Sequence, residues 1–152
     1  MTANLTPEMI EGGRRLLERL DRTSFGVRAC FWFYFSESDR WRLVVASPEV
    51  RNRGPHAAYR KIHAAARWVP AAAGISALGV LRAMEDTDPL VGALRKAVPR
   101  RSGTAGTRLT RSGVDGTFID DAYIYRLRGS SGPRKVAGGG SRSSRGSRAA
   151  RR

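Results

Sequence analysis

Val27-Arg28-Ala29-Cys30-Phe31-Trp32-Phe33-Tyr34-Phe35 is followed, after Ser36-Glu37-Ser38-Asp39-Arg40, by Trp41-Arg42-Leu43-Val44-Val45-Ala46. Two runs rich in aromatic and β-branched residues, separated by a polar segment, predict a β-hairpin with a longer loop. Pairing Phe35 with Trp41 sets Phe33 opposite Leu43 and Phe31 opposite Val45, which makes one wholly apolar face. The other face then carries Arg28, Cys30, Trp32, Tyr34, Arg42, Val44 and Ala46. A one-residue slip would exchange the faces of a strand, so the aromatic pattern is expected to pin the register. The first face is core. The second is expected to lie under a helix; left open, it would offer Trp32, Tyr34 and Arg42 as an interaction face.

On the N-terminal side, Thr6-Pro7-Glu8 reads as a helix start, with Thr6 as N-cap and Pro7 at the first helical position. Met9, Leu16, Leu17 and Leu20 form its apolar stripe, with Ile10 beside it, while Glu11, Arg14, Arg15, Glu18 and Arg22 face water. Gly12-Gly13 inside this helix costs about 1 kcal/mol per glycine and is read as close packing on the sheet. On the C-terminal side, a second helix follows Arg51-Asn52-Arg53-Gly54-Pro55, burying Tyr59, Ile62, Ala66 and Val69. Ile75–Met84 is predicted as an interior strand because both of its faces are largely apolar. Asp88-Pro89 starts a third helix, and Thr104–Arg111 and Thr117–Leu127 read as two more strands.

The order α-β-β-α-β-α-β-β predicts an α+β domain over residues 1–128, with a five-stranded, mainly antiparallel sheet and three helices on at least one face. From residue 129 to 152 the chain is dominated by Gly, Ser and Arg, a composition unable to bury enough surface to order itself, so a disordered tail is expected. That tail has seven basic residues and no acid; of the total charge of +15 it leaves +8 to residues 1–128.

Cys30 is the single cysteine, which excludes an intramolecular disulfide and fits a reducing compartment. No basic region leads into an apolar run at the N-terminus, and Val69–Leu81 is too short to span a bilayer, so a cytoplasmic protein without membrane contact is expected.

Trp41-Arg42-Leu43-Val44-Val45-Ala46-Ser47-Pro48, together with Asp121-Ala122-Tyr123-Ile124-Tyr125-Arg126-Leu127, resembles an uncharacterised family of short bacterial proteins. The resemblance spans most of residues 5–128 and implies no activity, cofactor or site.

Catalytic patterns are sparse. Asp120 and Asp121 are adjacent in a strand and point to opposite faces unless a bulge intervenes, so guarding an edge strand against unwanted pairing, or pairing with Arg108, Arg111 or Arg126, is the simpler reading. An acid two residues before a lysine, as a metal-dependent nuclease needs, precedes none of Lys61, Lys96 and Lys135. His56 and His63 are seven residues apart, about 10 Å along a helix, too far to share an ion, so no metal site and no cofactor are expected. Phosphate-binding glycine loops are absent. An acidic enzyme site around Asp86, Asp88 and Asp121 is the weakest of the functional readings.

The binding signals are basic. His56, Arg60, His63 and Arg67 recur at spacings of four, three and four, which aligns them on one helix face. Arg134, Lys135, Arg142, Arg145 and Arg148 lie among the small residues of the tail, a composition suited to non-specific phosphate contacts. The expectation is a non-enzymatic binding or accessory protein whose partner is nucleic acid or another polyanion. The alternative is a protein–protein module, or a homodimer, using the Trp32/Tyr34 face or a sheet edge.

Overall fold

The structure is a computed structural model that describes residues 4–76, 79–98, 106–114 and 116–128. The expected tail of 129–152 lies outside the described residues. The elements are α1 (Pro7–Asp21), β1 (Ala29–Phe35), β2 (Arg40–Ala46), α2 (Pro48–Arg53), α3 (Pro55–Ala66), a 3₁₀ turn (Ala71–Ala73), β3 (Leu81–Met84), α4 (Pro89–Ala97), β4 (Thr107–Val114) and β5 (Thr117–Leu127). The fold is α+β, with one five-stranded sheet in the order β3-β2-β1-β5-β4. Only β3 runs parallel to its neighbour; the other pairs are antiparallel. Among the described residues four α-helices form rather than three, the extra one being the short α2.

The hairpin forms, but its register differs from the expected one. Phe35 pairs with Arg40, Tyr34 with Trp41, Phe33 with Arg42 and Trp32 with Leu43. The turn decides this. Asp39 adopts φ +54, a left-handed conformation that Asp tolerates, and accepts a hydrogen bond from the Tyr34 hydroxyl. With the Ser38 amide bonded to the Phe35 carbonyl (3.2 Å), the loop closes in four residues and Arg40 joins the strand. Trp41, Leu43 and Val45 therefore face the same side as Cys30, Trp32 and Tyr34. Phe31 and Phe33 share the other side with Val44 and Ala46.

Both sides are core. Leu16, Leu17 and Leu20 of α1 and Ala58, Ile62, Ala65 and Ala66 of α3 pack on the Trp32 side, while Val91 and Leu94 of α4 pack on the Phe31 side. Helices thus cover both faces of the sheet. Their starts follow the sequence: the Thr6 hydroxyl accepts from the Met9 amide (3.2 Å), and Asp88 caps α4 by accepting from the Leu90 amide (2.9 Å).

Gly12 and Gly13 let α1 sit close. A Cβ on Gly12 would overlap that of Ala73, and one on Gly13 would overlap the Tyr125 hydroxyl. Tyr125 is the extra residue of a bulge in β5, since Phe31 pairs with Ile124 whereas Cys30 pairs with Arg126. Its hydroxyl donates to the Ile10 carbonyl (2.5 Å) and accepts from Trp32 Nε1 (3.0 Å), which also lies 3.2 Å from the Met9 carbonyl. Trp32 is thereby fully buried with its indole N–H satisfied.

The interior strand expected over 75–84 is a four-residue edge strand instead. Ile75 drops into the core before the strand begins, and Gly79 turns the chain at φ +81. Among the described residues no helix is long and apolar enough to cross a membrane.

Candidate nucleic-acid interface

The basic helix face is built by the way α3 starts. Gly54, at φ +91, ends α2 and lets Pro55 open α3 at a corner. Ala58, Ile62, Ala65 and Ala66 bury the inner side, which leaves His56, Arg60, His63 and Arg67 exposed on the outer one. Glu49 lies near this surface and is engaged by Arg53 (3.3 Å) and Lys61 (3.6 Å). Arg51 pairs with the fully buried Asp86 (2.8 Å). Among the described residues, Arg60 and Arg67 have no carboxylate partner, so their charge is turned to solvent.

Beside this face runs a cleft of about 750 Å³ between α3 and the β3 edge. Pro55, Tyr59 and His63 line it from the helix, Leu81, Arg82 and Ala83 from the strand, and Arg42 from β2, with no acid among the lining residues. His63 belongs both to the stripe and to the cleft, so the two surfaces are continuous. The rings of Tyr59 and His63, one turn apart on α3, stack with centroids 6.2 Å apart and planes at 26°. Arg82 is exposed, and Arg42 is half-buried with its guanidinium donating to the Gly79 carbonyl.

The trio of Trp32, Tyr34 and Arg42 is not a surface. Trp32 lies under α1, Tyr34 is buried beside Trp41, and the register puts Arg42 on the other face of the sheet. Arg82 and Tyr59 are the cleft residues that sequence reading assigned elsewhere, the one to an interior strand and the other to a buried stripe. Arg134, Lys135, Arg142, Arg145 and Arg148 lie outside the described residues.

The acidic residues do not converge. Asp86 is buried in its pair with Arg51, Asp88 caps α4, and both follow the β3 end that pairs with Ala46. Asp121 neighbours the Phe33 pairing, toward the opposite end of the hairpin, and is held bidentate by Arg108 (2.6 and 2.7 Å). Asp120 and Asp121 nonetheless line one hollow of about 480 Å³, with Tyr34, Thr110 and Arg111. Arg111 is left-handed (φ +46), and the β4–β5 ladder steps from Thr110–Asp121 to Ser112–Ile119 without pairing it, which marks where strict alternation fails. Among the described residues no group of three or more His, Cys, Asp or Glu is placed to hold a metal ion. Burial pushes the Cys30 thiol up to about 12, which suppresses the thiolate a nucleophile would need.

Fold and surface together describe an α+β domain with a basic helix face opening into an acid-free aromatic cleft. Comparison with family models, curated proteins and solved structures returns no match to this chain.

Proposed function

We propose that the chain is a non-enzymatic, cytoplasmic accessory protein that binds nucleic acid through the outer face of α3 and the adjoining cleft. The observation that carries this reading is the cleft itself. Arg42, His63 and Arg82 come from three elements to line one hollow from which carboxylates are excluded. Arg60 and Arg67 extend the basic surface along the helix, where they would neutralise phosphates and release counterions. The basic residues of 129–152 would add flexible, sequence-independent contacts.

The test is binding of the full chain to a labelled oligonucleotide across a salt series. Replacing Arg60, Arg67 and Arg82 together by Gln should weaken binding and lower the slope of log K against log salt by roughly 2 for a single strand. A second variant with Arg134, Lys135, Arg142, Arg145 and Arg148 changed to Ser measures the tail's share. Binding that is weak and insensitive to salt in the unaltered chain would end the proposal.

A further inference from the structure

Resting on that reading, we infer that the cleft takes an unpaired nucleotide, making the protein selective for single-stranded over duplex nucleic acid. A basic helix face alone would serve any polyanion. The cleft adds two features that a duplex cannot use. The first is shape: a concavity of about 750 Å³ bounded by α3 and β3 can admit a nucleotide, whereas a duplex is too broad to enter and would rest on the exposed stripe. The second is chemistry. Tyr59 and His63 present near-parallel rings at its helical wall, and a base offers its π-face only when it has left the stack.

The arrangement separates the two parts of a nucleotide. The Tyr59–His63 pair would be extended by the base, a contact that tolerates any base identity. Exposed Arg82 and the α3 stripe would take the flanking phosphates. Arg42 would contribute charge from a fixed position, since its guanidinium already bonds the Gly79 carbonyl. Base selectivity is therefore expected to be weak and strand selectivity strong.

The experiment compares the full-length chain with Tyr59→Leu and Tyr59→Phe. Leu keeps an apolar side chain in the cleft lining, changes no charge and removes the ring; Phe keeps the ring. The probes are a labelled single-stranded oligonucleotide about a dozen nucleotides long and the duplex of the same sequence. The unaltered chain should prefer the single strand. Tyr59→Leu should lose about tenfold in single-strand affinity. Its duplex affinity and salt slope should not change, and Tyr59→Phe should bind like the parent.

Equal affinity for both probes in the parent, or a Tyr59→Leu variant that binds the single strand unimpaired, overturns the inference but leaves the polyanion reading standing. Absence of binding to either probe overturns both. Unfolding curves for both variants show whether a loss comes from the fold, and a duplex affinity that falls in parallel would assign Tyr59 a structural role and reject the stacking site.

Discussion

Gly13→Ala tests whether α1 seals the Trp32 side of the hairpin. In an open helix interior this change stabilises by about 0.5–1 kcal/mol, because Ala gives up less backbone freedom than Gly. At Gly13 the new methyl would lie 2.7 Å from Tyr125 Cζ and 2.8 Å from Cε2, with the hydroxyl closer still. Ordinary carbon contacts begin near 3.5 Å, so ring or helix must retreat by close to an ångström. Overpacking of that order costs about 1–3 kcal/mol. The retreat also breaks the Tyr125 bond to the Ile10 carbonyl (2.5 Å) and lengthens the one from Trp32 Nε1 (3.0 Å). Each of those is worth about 1 kcal/mol. Subtracting the propensity gain leaves a net loss of about 1–4 kcal/mol, a large part of a domain's usual margin. Urea unfolding followed by tryptophan fluorescence measures it. Gly92→Ala in α4 is the control, since nothing lies within 4 Å of a Cβ there, and it should stabilise by about 0.5–1 kcal/mol. A Gly13→Ala chain as stable as Gly92→Ala would mean that α1 does not press on Tyr125 and Trp32. The aromatic face would then return as a candidate binding surface.

Two further outcomes follow from the buried and paired titratable groups. Cys30, with its thiol raised to about 12 by burial, should resist alkylation at mildly alkaline pH in the folded chain and react once urea unfolds it; rapid labelling of the native protein would contradict its place in the core. Asp21 is held below its ordinary carboxyl value of 3.8, first by its hydrogen bonds from Arg126, so the pair contributes stability above that value and loses it as the pH falls through the lower folded one. Because the Asp21 side chain is 41% exposed, solvent screening limits the effect. Asp21→Asn should cost under about 1 kcal/mol at neutral pH, and the difference from the parent should vanish in acid; a constant difference across pH would refute the assignment.

Local signals in the sequence located most elements because each rests on chemistry within a few residues. Thr6-Pro7 and Asp88-Pro89 mark helix starts through their own side chains, and those caps form. The spacing of His56, Arg60, His63 and Arg67 depends only on helical periodicity, and all four emerge exposed, the first three on α3 and Arg67 at its C-cap. The Gly12-Gly13 pair was legible as close packing, although its partners, Ala73 and Tyr125, come from distant segments. β3 departs from the expected strand for a physical reason: Ile75 is buried from a turn, so the apolar run reads as one long interior strand, while among its described residues pairing is confined to Leu81–Met84.

The register of the hairpin illustrates the opposite case, and it bears on function. β2 is apolar on both sides because helices cover both faces of the sheet, so either phase of its side chains would bury well. Hydrophobic pattern cannot select a register when neither face meets water. The selection falls to the loop, where left-handed Asp39 closes the turn one residue early. That single residue decides where Arg42 goes. In the expected phase it stands with Trp32 and Tyr34 and suggests a stacking surface on the hairpin. In the observed phase it pairs with Phe33 on the face opposite α3, and only its guanidinium, bonded to the Gly79 carbonyl at the sheet edge, reaches the lining of the cleft that also holds His63 and Arg82. The cleft is thus a tertiary product of a turn, a glycine and an edge strand, and its aromatic pair comes from α3 and not from the aromatic-rich hairpin that organises the core.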